Sequence, residues 1–181
     1  MKKIFFVVLF TFSTYLRAES KAQYRFEAAT APLAFLASWI TVDLSYFYDS
    51  HWAFGPSIVR YNSDSTHGGM FLPTYNGNAF GAHALYTDNL LQDSYYLSFH
   101  AYSENYTSYQ EAYLGHYDHQ GTRANAVVGK RWVSLNYATM LGIGLENRNH
   151  NYTMVPDIGS KTDLSSNDTF LTIEFKMGLL F

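Results

Sequence analysis

The chain contains no cysteine among its 181 residues, so no disulfide framework can stabilise it. Beyond its N-terminal segment it also has no apolar run near the roughly 20 residues of a membrane-spanning helix. Charged residues make up only 15% of the chain, whereas aromatic residues reach 18%, with 16 Tyr and 14 Phe. Stability must therefore come from hydrogen bonding and packing. Enrichment in Tyr and Trp suits a protein that meets a membrane–water interface.

The N-terminal segment has the pattern of a secretory signal peptide. Lys2 and Lys3 precede an apolar run over residues 4–12, and Ala18 precedes Glu19 after a short connecting stretch. The run is too short for a spanning anchor helix, which is the alternative reading. We therefore expect cleavage after Ala18, with residues 1–18 as the signal peptide and residues 19–181 as one domain.

The charge of the mature chain argues against nucleic acid as a partner. Removal of residues 1–18 takes away three of the 12 basic residues and none of the 15 acidic ones, so nine remain against 15 and the formal charge is −6. A phosphate backbone is bound by a basic surface. Nucleic-acid binding is therefore not expected.

The C-terminal segment shows strict alternation of apolar and polar residues. On a β-strand every second side chain points to the same side. The polar side carries Thr172, Glu174, Lys176 and Gly178. The apolar side carries Leu171, Ile173, Phe175, Met177, Leu179 and Phe181.

Seven further segments with this alternation can be found upstream, separated by turn signals. The third is the least regular, because Pro56 interrupts it and Arg60 falls on its apolar side; a bulge near Gly55 would restore the phase. The eight predicted strands are at about 22–30, 38–48, 52–61, 78–88, 94–104, 122–132, 134–146 and 169–181.

The connections alternate in length from the second strand onward. Short connections at 49–51, 89–93 and near 133 alternate with long polar ones at 62–77, 105–121 and 147–167. An even-stranded membrane barrel with both termini in the periplasm has this arrangement of short periplasmic turns and longer outer loops. The sequence therefore predicts an all-β fold, an eight-stranded antiparallel transmembrane β-barrel.

The whole mature length resembles the small outer-membrane β-barrels of the OmpA, OmpX and OmpW type. The resemblance rests on the strand rhythm and on the two terminal segments. It implies location in the bacterial outer membrane, contact with outer-membrane lipids and lipopolysaccharide, and a monomeric state. It also implies that the barrel-assembly machinery recognises the apolar face of the C-terminal strand.

A soluble lipocalin-like barrel remains the alternative architecture, because alternation alone does not say which face points inward. The terminal Phe181 and the unequal connections favour the membrane form. In that form the charged face fills a narrow lumen as a network of paired charges. Its predicted members are Arg25, Glu27, Asp43, His100, Glu104, Arg123, Arg131, Glu146, Glu174 and Lys176.

Catalysis is not the favoured prediction. Some outer-membrane barrels modify lipid A, and a deacylase of that kind would need a Ser nucleophile beside a His base. Here His100 and Ser103 would face opposite sides of one strand. The pattern of such deacylases places the Ser two residues after the His, where this chain has Tyr102. Lipid A modification therefore stays a minor alternative.

Metal and cofactor binding are not expected either. The stretch 116–119 holds two His and one Asp, but it lies in a predicted loop without fixed geometry. No cofactor motif is present. We predict a non-enzymatic protein with an envelope-structural or surface-interaction role through the Tyr-rich loops 62–77, 105–121 and 147–167. A small pore or carrier for hydrophobic solutes is the second hypothesis.

Overall fold

The chain forms a closed barrel of eight antiparallel strands, each paired with its neighbours in sequence order. The structure is a computed structural model that describes residues 24–37, 39–62, 74–109, 115–156 and 159–181. A 3-10 helix at Pro32–Ala37 follows the first strand. The strands are β1 Phe26–Thr30, β2 Trp39–Phe47, β3 Trp52–Asn62, β4 Thr74–Thr87, β5 Ser94–Tyr109, β6 Gly115–Ser134, β7 Tyr137–Pro156 and β8 Thr162–Leu180.

The connections fall into two sets at opposite ends of the barrel. The end that holds Phe26 and Leu180 has the tight connections 48–51, 88–93 and 135–136. We call this end the closed end. At the opposite end lie the strand ends Thr30 and Trp39, Asn62 and Thr74, Tyr109 and Gly115, and Pro156 and Thr162. The predicted signal peptide at 1–18 lies outside the described residues, as does most of the predicted loop 62–77.

No helix in the described ranges is long and apolar enough to cross a membrane.

The ring is closed where β1 meets β8. Glu27 to Thr30 pair antiparallel with Met177 to Leu180. The ladder continues one step further, because the Phe26 N–H donates to Phe181 O at 3.0 Å and the Phe181 N–H donates to Phe26 O at 3.0 Å. The two Phe rings stack with centroids 5.9 Å apart. The predicted C-terminal strand is thus the closing strand.

The strands differ greatly in length, so one side of the barrel is much taller. β1 has five residues and β2 has nine, whereas β6 and β7 have 20 each. Much of the predicted loops 105–121 and 147–167 is therefore paired strand, which the sequence prediction missed. These segments are polar on their outer face, so they lack the apolar alternation on which that prediction depended. We call the segments 74–78, 103–109, 115–122, 147–156 and 162–169 the upper wall.

The predicted bulge in the third strand is wrong. β3 pairs with β4 residue by residue from Trp52 to Asn62, and its register with β2 is the same on both sides of Pro56. The strand instead passes very close to β2 at Gly55. A Cβ atom at this position would lie only 1.6 Å from Leu44 O, so only glycine fits there. Arg60 needs no phase shift, since it lies on the outer face and donates to Asn78 Oδ1 at 2.8 Å.

The alternation predicted from the sequence places the polar side chains inside and the large apolar ones outside. Inside, two clusters of buried apolar and aromatic residues pack between the polar groups. The cluster near the closed end includes Phe47, Leu85, Leu90, Met140 and Leu180. The second cluster consists of Val59, Tyr61, Ala79, Tyr102 and Tyr106.

Candidate functional site in the barrel interior

Charged side chains fill the barrel in three layers between its closed end and the upper wall. All of the predicted lumen residues except Arg25 are buried there. Arg25 precedes β1 and its side chain is exposed, so it lies outside the layers. The buried members are Glu27, Asp43, His100, Glu104, Arg123, Arg131, Glu146, Glu174 and Lys176.

The layer at the closed end is built on the ion pair between Arg131 and Glu27. Arg131 Nη2 lies 2.7 Å from Glu27 Oε2, and Nη1 donates to the carbonyl of Leu90 at 3.0 Å. Gly178 makes room for the carboxylate, because a Cβ there would lie 2.1 Å from Glu27 Oε1. The connection 88–93 thereby folds Leu90 into the barrel and closes this end.

The middle layer is centred on the ammonium group of Lys176. It lies 2.7 Å from Asp43 Oδ2, 2.8 Å from Glu174 Oε2 and 2.7 Å from His100 Nε2. An ammonium group has three donors, and these contacts use all of them. His100 Nδ1 then donates to Asn125 Oδ1 at 3.0 Å. One cation between two carboxylates gives this layer a formal charge of −1.

The layer nearest the upper wall is centred on Glu104. Tyr61 donates its hydroxyl to Glu104 Oε1 at 2.5 Å, and His150 Nε2 lies 2.8 Å from Oε2. Arg123 Nε forms an ion pair with Glu104 Oε1 at 3.0 Å, and its Nη1 lies 3.9 Å from Glu146 Oε2. Buried charges are tolerated when they are paired in this way. The three layers together form a polar plug.

Several members of these layers were not predicted. His150 and Arg148 fall in the segment predicted as the loop 147–167, so nothing marked them as inward-facing. Tyr61 ends the irregular third strand. His83 lies on the inner face of β4, between Ser45 and Ser57, and is not among the predicted lumen residues. Strand pairing across the upper wall is the information that the sequence lacked.

Asp43, His83 and His100 form the group of potential metal ligands in the described part of the chain, with ligand atoms within 4.8 Å of one another. The Lys176 ammonium contacts both Asp43 and His100 at 2.7 Å. It already supplies the positive charge that a metal would bring. This donor set therefore does not fit a bound divalent ion.

The two histidines and the aspartate of the 116–119 stretch do not lie on one face of β6. His116 and Asp118 lie on the outer side of β6, with His116 Nε2 3.7 Å from Asp118 Oδ1. His119 lies on the inner side and bonds to Ser108 Oγ through Nε2 at 2.7 Å. Side chains on opposite faces of one strand cannot converge on one ion.

The histidines of the plug are committed to structural hydrogen bonds. His83 bridges two serines, with Nε2 2.8 Å from Ser45 Oγ and Nδ1 3.0 Å from Ser57 Oγ. Ser103 lies on the exposed outer face of β5, away from His100. The local combination of His, Ser and Glu on β5 therefore does not form a nucleophile–base pair.

Above the plug, the inner side of the upper wall lines an open cavity of about 400 Å³. We call it the aromatic cavity, because four tyrosines and two histidines line it. The ring-bearing residues of the wall are Tyr75, Tyr106, Tyr117, His119, His150 and Tyr152. Ser108, Arg148, Leu164, Asp168 and Phe170 complete the lining.

His119 lies at the centre of these rings. It stacks on Tyr106 with centroids 4.4 Å apart and meets the Tyr152 ring edge-on at 4.9 Å. Its surroundings, chiefly through burial and then through the neighbouring His150, lower the pKa of His119 to about 4. The imidazole is therefore neutral at pH 7 and serves as a hydrogen-bonding group.

Comparison of the chain with protein-family models, with curated proteins and with solved structures gives no match. The fold and the interior of this barrel must carry any functional argument.

Proposed function

We propose that the chain is a non-enzymatic outer-membrane β-barrel protein with a sealed interior, which presents the upper wall at the cell surface for interaction. The observation that carries this proposal is the division of its surface: a continuous apolar belt outside, polar charged layers inside. A soluble barrel buries its apolar face instead. The role is envelope-structural or surface-interacting.

The apolar belt runs around all eight strands. Its most exposed members are Ile173, at 71%, and Leu171, at 69%. Monomeric soluble proteins rarely expose contiguous apolar patches of more than a few hundred Å². Further exposed members are Ile40, Val42, Leu44, Phe54, Ile58, Phe80, Phe99, Val128, Leu141, Ile143, Leu145 and Met177.

The belt has two well-defined borders. Toward the closed end it meets aromatic residues that resemble an interfacial girdle: the exposed Tyr48, Tyr86, Tyr95, Trp132 and Tyr137 and the half-buried Trp52. Toward the upper wall it gives way to a polar row on adjacent strands: Arg60, Asn78, Ser103, Thr122, Asn147 and Thr169. Seven residues lie between the borders on β3, β4 and β5, and nine on β6 and β7. At about 3.3 Å per residue and a strand tilt of about 40°, the borders are roughly 20–25 Å apart, which is close to the height of an outer-membrane apolar band.

The three charged layers support a sealed barrel rather than a pore. An eight-stranded barrel is only wide enough for its own side chains. The side chains of Arg131, Glu27 and Glu104 are at most 1% exposed. The pore or carrier hypothesis is therefore disfavoured. The surface role is assigned to the upper wall, which rises beyond the belt.

Fractionation tests the membrane placement. The expressed protein should sediment with the outer membrane as a monomer and run at different positions on a gel with and without heating. The purified protein should also give only background conductance in planar bilayers, whereas discrete conducting steps would support the pore hypothesis.

Mass spectrometry of lipid A tests the enzymatic alternative. Cells with and without the protein should give the same lipid A spectrum. A mass change that depends on expression would replace the non-enzymatic proposal with an envelope-modifying activity.

A further inference from the structure

We propose that the aromatic cavity binds a neutral sugar ring, one saccharide unit of a glycan. The inference deepens the proposed surface role and rests on it, because the cavity opens on the side of the upper wall. Its volume of about 400 Å³ lies in the range of small-molecule sites, roughly 300–1,000 Å³.

The ring faces provide the first argument. Tyr106 and His119 stack in parallel, and Tyr152 stands edge-on to His119. The π-face of an aromatic ring is partly negative and attracts partly positive C–H groups. The C–H groups of a pyranose ring form such a surface. Tyrosine also offers a large contact area at low entropy cost.

The charge around the cavity provides the second argument. Arg148 Nε already bonds to Glu146 Oε1 at 2.6 Å. Beneath the cavity Glu104 is paired with Arg123, and at its rim Asp168 is exposed. The positive charges are therefore matched by carboxylates, with one acid in excess. An anionic ligand would meet no surplus positive charge here, which favours a neutral one.

The third argument is an unmet hydrogen bond at His119. Within the described residues, its Nδ1 is buried and has no hydrogen-bond partner, while Nε2 contacts Ser108 Oγ at 2.7 Å. Buried polar atoms normally have partners. Depending on the tautomer, Nδ1 is either a donor or an acceptor. A hydroxyl can both donate and accept, so a sugar hydroxyl satisfies Nδ1 in either case.

The scaffold of the cavity provides the fourth argument. Its lining residues lie on paired strands, because β6 pairs with β7 up to Gly115 and Pro156, and β7 pairs with β8 up to Met154 and Thr162. Sites on regular elements hold their groups more accurately than sites on loops. A preformed wall also lowers the ordering cost of binding.

A glycan array tests the inference with the full-length protein refolded in detergent. The array carries neutral hexose and N-acetylhexosamine oligosaccharides, sialylated and sulfated ones, and delipidated lipopolysaccharide chains. We expect retention of neutral glycans above that of acidic ones. The lipopolysaccharide spots distinguish a ligand of the cell's own envelope from an external glycan.

Variants locate the binding. H119F keeps a ring but removes the nitrogens, and loss of one hydrogen bond predicts about tenfold weaker binding of the retained glycan. Y117L, which removes a lining ring, should also weaken it. Q120A changes the adjacent outer-face residue and is the matched control. Gel migration with and without heating verifies that each variant is folded.

Two results would overturn the inference. One is a folded, membrane-inserted protein that retains no neutral glycan, which leaves the proposed membrane function intact. The other is equal retention by the wild type, H119F and Y117L, which would place binding elsewhere. Failure of the wild type to insert into membranes would instead count against the proposed function itself.

Discussion

Lys176 on β8 and Asp43 on β2 are joined by a contact of 2.7 Å between Nζ and Oδ2, although β1 lies between their strands in the sheet. The ion pair therefore crosses the lumen side of the barrel and ties the last strand to the second. Glu174 and His100 share the same ammonium group. The inner face of the C-terminal strand is thus the central support of the plug.

Replacement of Lys176 by Met should destabilise the barrel strongly. The change leaves Asp43 and Glu174 buried without their cation, and loss of one partner from a buried pair costs about 3–5 kcal/mol. Urea unfolding of the vesicle-inserted protein measures this loss in the free energy of unfolding. K130M is the control, because Lys130 lies over the Tyr95 ring at 4.7 Å on the outer face. Similar unfolding midpoints for K176M and the wild type would show that the middle layer contributes little.

Asp substitutions on the two faces of β8 should differ sharply. F175D or L179D places a charge in the proposed lipid-facing belt, at a cost of about 2–4 kcal/mol near the midplane. T172D places it on the inner face, where the cost should be smaller. The yield of heat-modifiable protein in vesicles reports insertion. If T172D inserts no better than F175D, the assignment of the faces is wrong.

Replacement of Phe181 by Ala separates assembly in the cell from folding in vitro. The backbone bonds to Arg25 and Phe26 are retained, so refolding into vesicles should change little. If the assembly machinery reads this residue, the amount of folded protein in cell membranes should fall. L135A, at an exposed turn residue of the closed end, serves as the control. Unchanged cellular levels of F181A would remove Phe181 from the proposed assembly signal.

The titration of His119 should lie far below that of an ordinary imidazole. Its folded-state pKa is lowered to about 4, against about 6.5 in an unfolded chain. The folded state therefore disfavours protonation of His119. The contribution of the neutral ring to the free energy of unfolding is complete above about pH 6.5 and decreases as the pH falls toward 4. NMR of the imidazole C–H groups, with the signal assigned by its loss in H119F, measures the midpoint. A midpoint near 6.5 would mean that the ring is solvated.

The sequence predicted the barrel well where one side of a strand is apolar. Alternation over residues 171–181 placed Glu174 and Lys176 on the face that is buried in the structure. Alternation in the predicted strands 38–48 and 122–132 did the same for Asp43 and Arg131. It failed where both sides are polar: His150 and Arg148 lie on paired strand that alternation could not distinguish from loop. Arg25 was predicted to lie in the lumen but is exposed, and the reason is different. Its strand is short, and β1 begins only at Phe26.

The aromatic cavity was also beyond the sequence. The segment 105–121 is visibly rich in tyrosine, but the contact of its rings with Tyr75 and Tyr152 depends on the register of four strands. That register is set by the continuous backbone pairing of β4 with β5, β5 with β6 and β6 with β7. Local composition cannot supply it.

Site-directed spin labelling tests the central claim, that the apolar face meets lipid. The chain has no cysteine, so single-cysteine variants give unambiguous labels. Labels at Leu145 and Ile173 should be accessible to oxygen but shielded from a water-soluble nickel complex. A label at Asn149, above the belt, should be accessible to the nickel complex. We expect this contrast in vesicles, and equal access of the nickel complex to all three sites would show that the apolar face does not meet lipid.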